Sequence, residues 1–132
     1  MNILSMGIIS GVFILSGGFA VKQVKPWPVP DKAAKTANPV KPSSESVNAG
    51  KSLWIQHCVS CHGKKGLGDG TKAAQLKTQP QDLSTATAQS QSDGSLFYKI
   101  AEGREDMPSF KKKIPDAEDI WNVVNYMRTL KK

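Results

Sequence analysis

Apolar positions recur at helical spacing in three stretches of the chain, and no stretch gives convincing strand alternation. The last stretch has the clearest pattern. Ile120, Val123, Val124, Met127 and Leu130 fall on one helical face. Asp116, Glu118 and Asp119 precede them and Arg128, Lys131 and Lys132 follow, the charge order that a helix macrodipole favours. A second stretch runs through Val47, Gly50, Leu53, Trp54 and His57, with Ser44 as a cap and Glu45 in its first turn. A third passes through Leu96, Phe97 and Ile100, capped by Ser92 or Asp93 and stopped at Gly103. Between them, residues 63–70 hold four glycines and read as a loop. Residues 72–77 suit a short helix, and residues 80–91 are polar and irregular. The pattern predicts an all-α domain over residues 44–132.

Two segments precede that domain. Residues 3–21 carry no charge and no polar side chain beyond serine. As a helix they would span about 28 Å, close to a bilayer core. The run ends in Gly18-Phe19-Ala20, a small-x-small pattern, so residues 1–21 read as a signal peptide or as a membrane anchor. No Lys or Arg precedes the run, and Lys22 and Lys25 follow it, which on charge alone favours a cytoplasmic C-terminus. Residues 22–43 read as a Pro/Lys-rich linker, with Pro26, Pro28, Pro30, Pro39 and Pro42 favouring polyproline II. As a semi-rigid spacer, residues 22–44 would reach about 70 Å. Trp27 is unusual in such a segment, with a partner, a membrane interface or the domain itself as its possible seat.

Charge follows the same division. The chain is formally +7. Residues 21–42 contribute five lysines against one aspartate, whereas the chain from Ser43 onward has 13 basic and 10 acidic residues. The excess is therefore largely ahead of the domain, where it suits an anionic membrane surface, an acidic partner or a solvated tether. No basic stripe with interleaved aromatics is present, which argues against nucleic-acid binding.

The chemistry is concentrated in Cys58-Val59-Ser60-Cys61-His62. C-x-x-C-H is the pattern of covalent haem attachment: two thiols add to the two vinyl groups on one porphyrin edge, and the adjoining imidazole is carried under the ring to the iron. A bare C-x-x-C would equally suit thioredoxin-type redox chemistry or half of a zinc site. The first calls for a βαβ context that is missing here, and the second for two more ligands when His57 is the only other histidine. These are the only cysteines in the chain, so no third thiol competes for them. About 90 residues form a small domain for burial on side chains alone, and a held haem would complete the core.

The motif continues into Gly66-Leu67-Gly68-Asp69-Gly70, then Gly103-Arg104-Glu105-Asp106-Met107-Pro108, and finally a helix with Trp121 and Tyr126 in W-x-x-x-x-Y spacing. As a set, over residues 44–130, this resembles the class I, monohaem cytochromes c. Many relatives have proline after Gly-Asp-Gly where this chain has Thr71. The resemblance implies a cytochrome c fold, three to five helices wrapped around one covalently attached haem c. It implies that Gly50 and Trp54 of the first helix cross the last helix beside Tyr126. It matches Met107 to the distal iron ligand opposite His62, and it suggests a backbone carbonyl near Pro80 as acceptor for the other His62 nitrogen. Of the remaining methionines, Met1 and Met6 lie in the leader and Met127 on the buried face of the last helix. His57 directly precedes Cys58, which places it beside the ring.

His/Met ligation raises the reduction potential and leaves no open position on the iron. The expected function is therefore one-electron transfer, not catalysis. Donor and acceptor would be redox proteins: a quinol-oxidising complex or dehydrogenase on one side, a terminal oxidase or reductase on the other. Lys64, Lys65, Lys111, Lys112 and Lys113 would form a basic rim, mixed with Glu102, Glu105 and Asp106. A tethered haem subunit of a larger membrane complex is the alternative, and a haem enzyme or gas sensor the third reading. In the resembling family, haem attachment is extracytoplasmic, which outweighs the weak charge signal and places the domain in the periplasm, soluble or anchored.

Overall fold

The computed structural model describes residues 26–132. The apolar run of residues 3–21, and with it the choice between signal and anchor, lies outside the described residues. Among the described residues no helix is long and apolar enough to cross a membrane.

The three periodic stretches are the three long helices. Helix α2 spans Ser44–His57 and α5 spans Asp93–Glu102. Helix α6 spans Ala117–Arg128. Each starts where a side chain can satisfy an orphan backbone donor. Ser43, one residue earlier than expected, accepts from Ser46 N–H; Ser92 accepts from Ser95 N–H; Asp116 accepts from Glu118 N–H. The short elements are α1 (Asp31–Ala34), α3 (Val59–His62) and α4 (Ala86–Gln89). A 3-10 turn covers Ala73–Gln75, within the stretch suited to a short helix. Helix α4 gives residues 80–91 one ordered turn that the polar composition did not suggest. The only β-type pairing among the described residues is an isolated bridge between Arg104 and Met107.

Helices α2 and α6 cross at Gly50. A Cβ there would lie 1.9 Å from the Asn122 carbonyl oxygen and 3.0 Å from Tyr126 Cβ. Only a residue without a side chain permits this backbone approach. Trp54, one turn on, is 2% exposed and meets the Tyr126 ring at 5.8 Å. On α6 the expected apolar face is buried at Ile120, Val123, Val124 and Met127, and Leu130 is half-buried. The helix is covered on further sides as well. Trp121 stacks on Phe97 of α5 at 4.2 Å, and Asn122 and Asn125 are buried.

These two asparagines join a polar network that periodicity does not reveal. Ser46 Oγ donates to Asn122 Oδ1 at 2.7 Å, and Asn125 Nδ2 donates to Ser46 Oγ at 2.8 Å and to the Val40 carbonyl at 3.1 Å. Asn38 Nδ2 donates to Asn125 Oδ1 at 2.8 Å. Every polar atom of the Asn125 side chain is thus engaged, as burial demands.

Residues 26–43 correct the expectation of an extended spacer. They fold back as a strap over α5 and α6. Asn38 and Val40 are fastened to Asn125, and Ser92 Oγ donates to the Ala34 carbonyl at 2.6 Å. Gly94 lets α1 lie close on α5, since a Cβ there would come within 2.1 Å of the Ala33 carbonyl oxygen.

Gly50→Val is expected to destabilise the holoprotein. Overpacking typically costs about 1–3 kcal/mol, occasionally more, and the obstacle here is backbone that cannot rotate away. A thermal melt unchanged from wild type would contradict the crossing.

Candidate haem site

Helix α2 ends at His57, and Cys58 is the hinge into α3. Cys58 N–H still bonds to the Trp54 carbonyl at 2.8 Å, and His62 N–H bonds to the Cys58 carbonyl at 2.9 Å. The short helix thus brings Cys58, Cys61 and His62 to one wall. The glycine loop closes beneath them: Gly68 N–H bonds to the His62 carbonyl at 2.9 Å and Gly70 N–H to the Cys61 carbonyl at 3.1 Å. Gly63, with φ +79°, turns the chain so that its carbonyl accepts from Trp54 Nε1 at 3.2 Å.

Met107 lines the same cavity. Arg104 and Met107 exchange two backbone hydrogen bonds, 2.7 and 2.9 Å, around a tight turn in which Glu105 adopts φ +54°. Gly103, at φ +69°, allows the turn to fold onto the chain that follows; a Cβ there would be 2.5 Å from the Met107 carbonyl oxygen. The turn is clamped across the mouth of the site by Asp106. Its carboxylate accepts from Lys77 N–H at 2.7 Å and Thr78 N–H at 3.1 Å, and the Thr78 hydroxyl donates to Glu105 at 3.1 Å.

Cys58, Cys61, His62 and Met107 all line one cavity of about 590 Å³, within the size range of cofactor sites. Leu83, Ile100, Val123 and Met127 contribute apolar wall. Met127 is also 6% exposed, in keeping with a core role. His57 lies at the cavity too, its ring 6.0 Å from Phe110. Trp27 and Pro26, from the strap, complete the lining.

The electrostatics fit a covalently held haem better than the alternatives. Burial, helped by the neighbouring Cys61, pushes the Cys58 thiol up to about 12. A thioredoxin-type thiol needs the opposite shift. Burial also lowers the His62 pKa, favouring the neutral imidazole that binds a metal. His62 Nδ1 is buried with no hydrogen-bond partner. A buried imidazole nitrogen without a partner marks a site that the protein's own polar groups leave incomplete. The residues present therefore fit the group. One expectation is corrected: no carbonyl near Pro80 accepts from Nδ1. The Pro80 carbonyl instead lies over Gly68, where a Cβ would approach it to 2.3 Å.

Sequence reasoning overlooked the clamp and the strap's share of the site. Asp106 was legible only as part of a mixed surface patch, because its partners are backbone groups of a remote loop. Trp27 did carry a signal, an aromatic out of place in a proline-rich segment. The rim lysines 64, 65, 111, 112 and 113 are all exposed, and Lys111 pairs with Glu102.

An all-α fold closed around a cavity lined by C-x-x-C-H and a methionine defines a c-type cytochrome. Residues 45–127 match the family described as cytochrome c oxidase, cbb3-type, subunit III, and the chain belongs to that family. Its cofactor is one covalently bound haem c, and its chemistry is electron transfer. No curated protein matches the chain. Among solved structures, a chain of the Kuenenia stuttgartiensis reducing HAO-like protein complex Kustc0457/Kustc0458 is 25% identical with a TM-score of 0.66. That match covers 83% of this chain and 52% of the other, so the chain spans about half the length of that relative. The c-type cytochrome KustC0563 is 34% identical over 63% of this chain and 98% of its own, with a TM-score of 0.51. Cytochrome cL from Methylophaga aminisulfidivorans, at 24% identity and a TM-score of 0.52, covers 66% of this chain and 56% of its own and shares the fold.

Asp106→Ala is expected to free the Lys77 and Thr78 amides. Losing a charge-assisted acceptor for two N–H groups is worth about 1.5–3 kcal/mol. Amide hydrogen exchange at these two positions should accelerate; exchange at the wild-type rate would show that the clamp does not hold the turn.

Proposed function

We propose that this protein is a one-electron carrier of a respiratory or periplasmic electron-transfer chain. In this reading Cys58 and Cys61 hold the haem through thioether bonds, and His62 and Met107 are the axial ligands. The observation that carries it is the convergence of these four residues on one cavity, with His62 Nδ1 buried there. The bound haem supplies a metal centre that alternates between two oxidation states. The protein's part is to position both ligands, exclude water with Leu83, Ile100 and Val123, and leave one edge near the surface. A thioether ligand favours the reduced state and raises the potential relative to other axial pairs.

Donor and acceptor are redox proteins in this proposal, such as a quinol-oxidising complex or dehydrogenase and a terminal oxidase or reductase. The exposed lysines 64, 65, 112 and 113 offer an acidic partner a small, weak docking patch. An extracytoplasmic, periplasmic location is supported by the attachment motif and by the apolar residues 3–21. If those residues stay in a membrane, the packed strap changes the geometry. Only residues 22–25 separate them from the strap, at most about 14 Å of chain. The domain would then work close to the bilayer instead of swinging on a long tether.

A second reading is a haem subunit of a larger complex. It is favoured by the relation to the Kuenenia complex chain, because that likeness covers 83% of this chain and so reaches ahead of the haem domain.

Two experiments test the primary reading. The haem is expected to resist acid–acetone extraction; extraction would remove Cys58 and Cys61 as attachment points. Met107→Ala is expected to abolish the methionine-to-ferric charge-transfer band and to let the ferrous protein bind carbon monoxide readily. Equal carbon monoxide binding by wild type and variant would point to a sensor or enzyme instead.

A further inference from the structure

The turn bearing Met107 is braced on two sides. Asp106 ties it to residues 77 and 78; the other brace comes from the segment ahead of the haem domain. Arg104 Nη1 donates to the Pro26 carbonyl at 2.6 Å, and the guanidinium carbon stands 4.5 Å from the centre of the Trp27 ring. Lys99 Nζ lies 5.5 Å from the same ring. Trp27 is half-buried and lines the cavity alongside Met107. Because Arg104 and Met107 exchange both backbone hydrogen bonds, a displacement of Arg104 carries Met107 with it.

An indole face attracts cations, and the attraction strengthens as water is excluded. Here one ring serves two cations. Lys99 also lies close enough to Arg104 to feel its charge: burial, and then that guanidinium, holds the ammonium below its usual range. Without the ring, two like charges would remain beside the ligand turn with less to hold them. The strap itself is anchored farther along, at Asn38, Val40 and Ala34, so Trp27 is presented from a fixed base.

We infer that residues 26 and 27 are a working part of the distal haem site: Trp27 is a positioning residue that braces Arg104, and through it Met107, and covers that edge of the cavity from water. This rests on the reading of Met107 as the distal ligand.

The test compares Trp27→Ala and Trp27→Phe with wild type in the full-length, haem-loaded protein. Removing the ring is expected to lower amide protection at Arg104 and Met107 about tenfold and to speed carbon monoxide binding to the ferrous protein by a similar factor. Phenylalanine keeps an aromatic face and should hold both within about threefold of wild type. Wild-type protection at both amides in Trp27→Ala would overturn the proposal. So would a loss in Trp27→Phe as large as in Trp27→Ala. An equal loss of protection throughout α2 and α6 would also overturn it, by making Trp27 a general stability residue. The wild-type charge-transfer band separates the two readings. Its absence would remove Met107 as ligand, while the amide protection would still decide whether Trp27 braces the turn.

Discussion

The backbone contact of α2 with α6 at Gly50 governs the geometry of everything else. A Cβ would overlap the Asn122 carbonyl, so the two helices are as close as two helices can come. That closeness sets Trp54 against Tyr126 on one side and brings Ser46 within reach of Asn122 and Asn125 on another. From this crossing α2 runs on to His57, and Cys58 turns the chain into α3. Cys58, Cys61 and His62 follow the crossing by about two to three helical turns.

The strap depends on the same crossing. Asn125 faces the junction and offers its amide to both Ser46 and Val40, while its carbonyl oxygen takes the Asn38 amide. One side chain thereby links the first long helix, the last one and the segment ahead of both. Removing any partner would leave a buried polar group unpaired, at a cost of about 1–3 kcal/mol. A small domain with few apolar residues to spare gains specificity in this way that its apolar contacts alone do not supply.

Much of this was legible in the sequence where the signal is local. The family resemblance placed Gly50 at the crossing, and its cost in a helix interior, about 1 kcal/mol relative to alanine, agrees with that. The C-x-x-C-H run identified its own chemistry, and α6 could be read from its charge order and apolar spacing. The start of α2 was misplaced by one residue because Ser43 and Ser44 are equivalent as caps on composition. The larger departure, residues 26–43, has a different cause. Proline-rich, lysine-rich segments have no periodic face, and the contacts that fasten this one are single polar residues paired across most of the chain. The same holds for Asp106, whose partners are amides of a distant loop. Pattern reasoning finds contacts that repeat; it does not find those that occur once.

The two walls of the haem cavity therefore stand on different physical footings. The proximal wall is one continuous piece of chain, from α2 through α3 into the glycine loop, held by consecutive backbone hydrogen bonds. The Met107 wall is a single tight turn, held to the rest of the protein through Asp106, Glu105, Arg104 and the fold of Gly103. Cooperative helix contacts fail together or not at all, whereas a turn held by a few side chains can open alone at small cost. In the proposed function, with Met107 as distal ligand, that ligand must stay in place nearly all the time. That demand accounts for a turn clamped from residues 77 and 78 on one side and from residues 26 and 27 on the other. It also explains why a segment outside the family match lies against the cavity. The strap adds a second restraint to the turn that carries Met107.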